Sequence, residues 1–108
     1  PASEPETVII INAIYDFRPW MAIQVHQPFG ALYPSSGVTP MLYENMSALS
    51  GLPVEFDIGY NTPGSFGSYL SREDLAIPCV TFELGSIYIE PDYGRINLSF
   101  LEAVNYVR

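Results

Sequence analysis

Two residues of this chain have side chains suited to moving protons and occupy unusual places. His26, the sole histidine, closes the apolar run of "MAIQVHQPFG", and Glu83 interrupts another in "IPCVTFELG". A carboxylate within a strand-like run is costly to bury without a partner, so Glu83 needs a reason to be there. An imidazole and a carboxylate brought to one place can exchange protons with a bound reactant. Either residue by itself is weaker evidence, since a lone histidine at a strand end is more often structural than catalytic.

Between them lies "TPGSFGSY", which places Gly64, Ser65, Gly67 and Ser68 where a strand-like segment gives way to a helix-like one. Such a turn can offer backbone N–H groups to an anion, though tight packing explains the glycines equally well. It is not a phosphate-binding P-loop, because no Gly-Lys-Ser/Thr ending follows and the chain has no lysine. Nor is it a Gly-x-Ser-x-Gly nucleophile elbow, since Pro63 and Gly64 precede Ser65 while Phe66 and Gly67 follow it. Cys79, the only cysteine, lies in the apolar stretch "IPCVTF" without a second Cys or an adjacent His to activate it. It reads as a buried structural thiol.

The elements that would position these residues alternate in type. Ser3 and Glu6 form a capping-box pattern ahead of a helix in "ASEPETVIIINAIYDF", with Val8, Ile11 and Ile14 as an apolar stripe and Ile10 and Phe17 beside it. The β-branched run from Val8 to Ile11 competes for a strand. "WMAIQVH" reads as a strand and "QPFGALYPSSGV" as an irregular loop. "TPMLYENMSALSG" is a helix with Thr39 as N-cap, Pro40 at the first position and Gly51 past its end. "LPVEFDIGY" reads as a second strand, "GSFGSYLSRED" as a short helix, "IPCVTFEL" as a central strand and "INLSFLEAVNYVR" as a closing helix. This order predicts an α/β domain with three layers, a mostly parallel sheet flanked by helices. Ligands of such sheets gather at the carboxyl ends of strands, which puts His26 and Glu83 at one rim.

Composition narrows the choice of partner. The 108 residues suffice for one domain with a core, and the net charge is −8 with only four basic residues. That argues against nucleic acid and against anionic membrane surfaces. No apolar run is long enough to span a membrane. A single cysteine excludes an internal disulfide and makes a reducing, cytoplasmic setting the default expectation.

Taken in order, "ASEPET", "VHQPFG", "GYNTPGSFGSY" and "IPCVTFELG" resemble the zinc carboxypeptidase superfamily, and within it the murein peptide amidase A branch. The resemblance covers nearly the whole chain, and the glycine-rich stretch is its most specific part. It implies that His26 is a zinc ligand and that Glu83 is the general base towards zinc-bound water. It also implies that Tyr60, Gly64, Ser65 and Phe66 border a murein peptide substrate, Tyr60 as a mobile tyrosine. The implied reaction cuts the amide between γ-D-glutamate and meso-diaminopimelate in peptidoglycan recycling. Deacylases of N-acyl amino acids share the zinc chemistry and a similar "ELG" strand. One departure matters. The family's other two zinc ligands come from an upstream His-x-x-Glu motif, which a chain with one histidine cannot supply. Residues 1–108 are therefore expected to be the C-terminal half of such a domain, binding zinc weakly or not at all alone. An alternative is a metal-free half-domain or degenerate relative that acts through association, with the missing half or as a homo-oligomer.

Overall fold

The computed structural model describes residues 3–59, 64–86 and 88–106. Its elements run α1 (Pro5–Phe17), β1 (Ala22–His26), β2 (Ala31–Pro34), α2 (Pro40–Ser50), α3 (Phe66–Leu70), β3 (Cys79–Glu83) and α4 (Tyr93–Asn105). The strands form a single sheet in the order β1-β3-β2. β1 pairs with β3 in parallel, aligning His26 with Glu83, and β2 pairs with β3 antiparallel, aligning Ala31 with Glu83. The sheet is thus mixed, where a mostly parallel one was expected.

Two segments account for that difference. The expected loop over 27–38 contains β2, which the sequence masks with Pro28, Gly30 and Pro34 around only four pairing residues. The expected strand "LPVEFDIGY" reduces to one bridge between Val54 and Leu32, held by Leu32 N–H to Pro53 O and Glu55 N–H to Leu32 O, both 2.8 Å. Pro53 has no N–H to give a ladder, and Asp57 Oδ1 draws in the N–H of Gly59 at 2.7 Å to bend the chain.

Successive strand residues point to opposite faces, so β3 divides its side chains between two environments. Val80 and Phe82 join Leu32, Val38, Leu42, Met46, Ile96 and Ala103 in a cluster under α2 and α4. On the other face Cys79 packs with Ile14 of α1, Leu70 of α3, Leu75 and Ile77. The first cluster is closed by specific bonds. Ser99, fully buried, donates to Met46 O at 2.9 Å. Arg95 donates to Ala48 O and Leu49 O, carbonyls left unpaired at the end of α2. Gly51 ends α2 with φ 78°, and a Cβ there would lie 2.6 Å from Arg95. Glycine meets the positive φ without strain and leaves the Arg95 guanidinium where it bonds the end of α2.

The caps differ in part from expectation. Thr39 is the N-cap of α2, yet its side chain makes no capping bond. Its hydroxyl donates instead to Tyr106 at 2.8 Å, tying α2 to the end of α4. The capping box of α1 does not form, and Glu4 is the N-cap residue. Of the apolar stripe on α1 only Ile14 is buried; Ile11 is half-buried, and Val8, Ile10 and Phe17 are exposed. No helix among the described residues is long and apolar enough to cross a membrane.

Candidate active site

Alternation along β1 and β3 puts Ala22, Gln24 and His26 on the same face as Cys79, Thr81 and Glu83. Ala22 and Cys79 lie at the base of this face, packed against the Ile14 cluster. Burial pushes the Cys79 thiol up to about 11, which suits an inert packing group. One step along come Gln24 and Thr81, and another step brings His26 and Glu83 to the carboxyl ends of their strands. Adjacent strands run about 4.8 Å apart, so the paired register holds the last two side by side.

These residues open onto a cleft of about 280 Å³ lined by Gln24, His26, Tyr33, Thr81 and Glu83, with Phe56, Ile58 and Ser65 at its border. Glu83 is 5% exposed, and its Oε2 is buried without a hydrogen-bond partner among the described residues. A buried carboxylate oxygen left in that condition costs stability. His26 is exposed towards solvent, and its Nε2 lies 3.3 Å from Gln24 Oε1. Gln24 Nε2 donates to Thr81 Oγ1 at 2.7 Å.

The expected substrate residues divide. Ser65 borders the cleft and is the N-cap of α3, where its hydroxyl accepts from Ser68 N–H at 3.1 Å. Gly64 and Phe66 instead line a neighbouring groove between α1 and α3, and Phe66 also packs on the Ile14 cluster. Ser65 borders that groove as well and so stands between the two. Tyr60 lies outside the described residues. Sequence reasoning missed Gln24, Thr81 and Tyr33. The signal for the first two was available, since each stands two residues before His26 or Glu83 and so shares its face.

Among the described residues no three His, Cys, Asp or Glu side chains converge as a set of metal ligands. The donors at hand are nevertheless of the right kind for a divalent ion and its water. Nδ1 of His26 makes no hydrogen bond among the described residues, and Glu83 Oε2 lacks a protein donor. An imidazole nitrogen suits zinc, and a carboxylate beside it suits proton transfer.

Comparison with known proteins agrees with the order of motifs in the chain. No family model matches. Murein peptide amidase A of Escherichia coli K12 is 33% identical over 87 residues, covering 81% of this chain and 34% of that protein. The protein of the same name from Vibrio campbellii is 32% identical over 84 residues, covering 78% and 32%. This chain is a homologue of murein peptide amidase A. The crystal structure of murein-tripeptide amidase from Escherichia coli O157 superposes with a TM-score of 0.75 at 31% identity. That match covers 96% of this chain and 41% of the other. The chain thus spans about a third of the length of the murein peptide amidases it matches.

Proposed function

We propose that the protein carrying this chain is a zinc-dependent amidase of murein peptides, cutting between γ-D-glutamate and meso-diaminopimelate. In this reading residues 1–108 are the C-terminal half of its catalytic domain. The observation that carries it is the pairing of His26 with Glu83 in one cleft, with Glu83 Oε2 buried and unpartnered. A purely structural role leaves that oxygen unexplained. A base facing the water that attacks an amide explains it.

His26 is the ligand this chain contributes, and the other protein ligands come from a His-x-x-Glu motif elsewhere in the protein. Zinc bound there supplies a Lewis acid that polarises the scissile carbonyl and lowers the pKa of water. Glu83 takes the proton from the attacking water and returns it to the leaving amine. Ser65 and Tyr33 border the peptide, and Phe56 and Ile58 give the cleft an apolar lip. The exposed apolar residues of α1 and the free edge of β1, where Val25 is half exposed, support the half-domain reading. Both are surfaces that a larger domain covers.

The test is made on the protein expressed from the complete reading frame that encodes this chain. Incubated with a murein tripeptide, it should release diaminopimelate, lose that activity to a chelator and regain it with zinc. His26→Ala should lower zinc content and rate together. Zinc-loaded protein without hydrolysis, or full zinc content and rate in His26→Ala, would overturn the proposal.

A further inference from the structure

Among the described residues, His26 reaches the cleft with only one of its ring nitrogens engaged. Nε2 faces Gln24 Oε1 at 3.3 Å, and the other end of the same amide donates to Thr81 Oγ1 at 2.7 Å. An amide has one accepting end and one donating end. In the structure the Gln24 N–H₂ donates to Thr81, which turns the amide oxygen to the ring, and in that orientation only a protonated Nε2 can bond to it. The Thr81 hydroxyl can donate as well as accept, so the ring tautomer is what reports the direction of the amide. A neutral imidazole has a single N–H, so the lone pair is then on Nδ1. The glycine-rich turn makes room for this arrangement. A Cβ at Gly67 would lie 3.3 Å from Gln24 Nε2, closer than the amide tolerates without shifting.

We propose that Gln24 is a positioning residue: it holds His26 in the Nε2–H form and leaves Nδ1 as the nitrogen that binds metal. Thr81 and the open space at Gly67 hold Gln24 in turn. Metal-binding imidazoles commonly donate their second N–H to an oxygen, which fixes both tautomer and ring orientation. The consequence for metal rests on the zinc reading above, whereas the state of the ring does not. This also gives Gly67 a specific task, distinct from offering its N–H to an anion.

Because His26 is the only histidine, the chain labelled with ¹⁵N-histidine gives one pair of ring nitrogen resonances. They are read without metal at about pH 9, where imidazoles are neutral. Wild type and Gln24→Glu, which keeps the accepting oxygen, should be almost wholly Nε2–H. Gln24→Leu should drift to the tautomer ratio of the urea-unfolded chain. Thr81→Val, which removes only the anchor, should move the same way and serves if Gln24→Leu fails to fold. A wild-type ring already at the unfolded ratio, or wild-type spectra in both folded variants, would overturn the proposal. In the zinc-loaded protein from the complete reading frame, Gln24→Leu should weaken zinc about 10–100-fold, and Gln24→Glu should restore it. The expected ring spectra with unchanged zinc affinity would uphold the positioning of His26 and overturn its role as ligand.

Discussion

The two faces of β3 make opposite use of five consecutive residues. Val80 and Phe82 point into a cluster in which Leu32 and Met46 are also fully buried, and Phe100 meets Phe82 edge-on with ring centroids 4.9 Å apart. The side-chain contacts of that cluster are mostly ones that burial rewards, closed by the bond from Ser99 to Met46 O. Thr81 and Glu83 point the other way, towards Gln24, His26 and a cleft. A small domain has little stability to spare, yet this face buries a carboxylate oxygen without a partner. The apolar face holds the fold, and on the other face the apolar packing ends at Cys79, leaving Thr81 and Glu83 shaped by something other than folding.

The comparison breaks most readily from the apolar side. Phe82→Ala removes a fully buried ring from the cluster, and such truncations cost about 3–5 kcal/mol. Against a typical total of about 5–15 kcal/mol, thermal or urea unfolding should show a large loss for this variant. If Phe82→Ala unfolds near the wild-type midpoint, the cluster does not hold the fold as described. Ser99→Ala should cost less, about 1 kcal/mol. It loses one buried bond to Met46 O without opening a large cavity.

The smallest effect is expected where α1 meets the loop before β3. Tyr15 Oη donates to Asp74 Oδ2 at 2.8 Å, and Arg72 lies beside the same carboxylate at 3.1 Å. The Tyr15 hydroxyl first, and Arg72 second, hold the Asp74 carboxyl below the usual carboxylate range. The bond to Asp74 raises Tyr15 above the ordinary phenol value. The stability from Asp74 is therefore complete above the ordinary carboxylate range and lost as pH falls through its lowered value. That from Tyr15 is complete below the ordinary phenol value, about 10, and lost as pH rises through its raised one. The melting temperature of wild type should exceed that of Tyr15→Phe slightly at neutral pH, with the gap closing at both extremes. A gap that persists unchanged in strong acid would assign it to packing.

What could be read from sequence followed from how locally each feature is determined. α2 was legible because Pro40 and Gly51 mark its ends through backbone geometry alone. β3 was legible as central because the stretch 77–84 around it carries apolar residues on both faces, Cys79 on one and Val80 and Phe82 on the other. His26 and Glu83 stood out as the types that apolar runs avoid, and strand polarity placed them at one rim. β2 was hidden because its identity depends on β3, 52 residues away at the Ala31–Glu83 pair, rather than on its own proline-flanked residues. The stripe on α1 marked a helix correctly, but which of its residues are buried depends on distant neighbours, and among the described residues only Ile14 is fully buried. Gln24 escaped notice because glutamine in a short strand has no unusual cost. Only the bonds to His26 and Thr81 give it meaning.

In the proposed function Glu83 is buried for chemistry and not for stability. Glu83→Gln tests it directly, because the substitution keeps shape while removing the carboxylate. In the protein from the complete reading frame, melting temperature, zinc content and hydrolysis of a murein tripeptide are measured on one preparation. The account predicts a melting temperature at or above that of wild type, since an unpartnered buried carboxylate oxygen is lost. Zinc content should be unchanged, and turnover should fall by about 10²–10⁴-fold or more. A folded, zinc-loaded Glu83→Gln protein that turns over normally, or one that melts well below wild type, would contradict it.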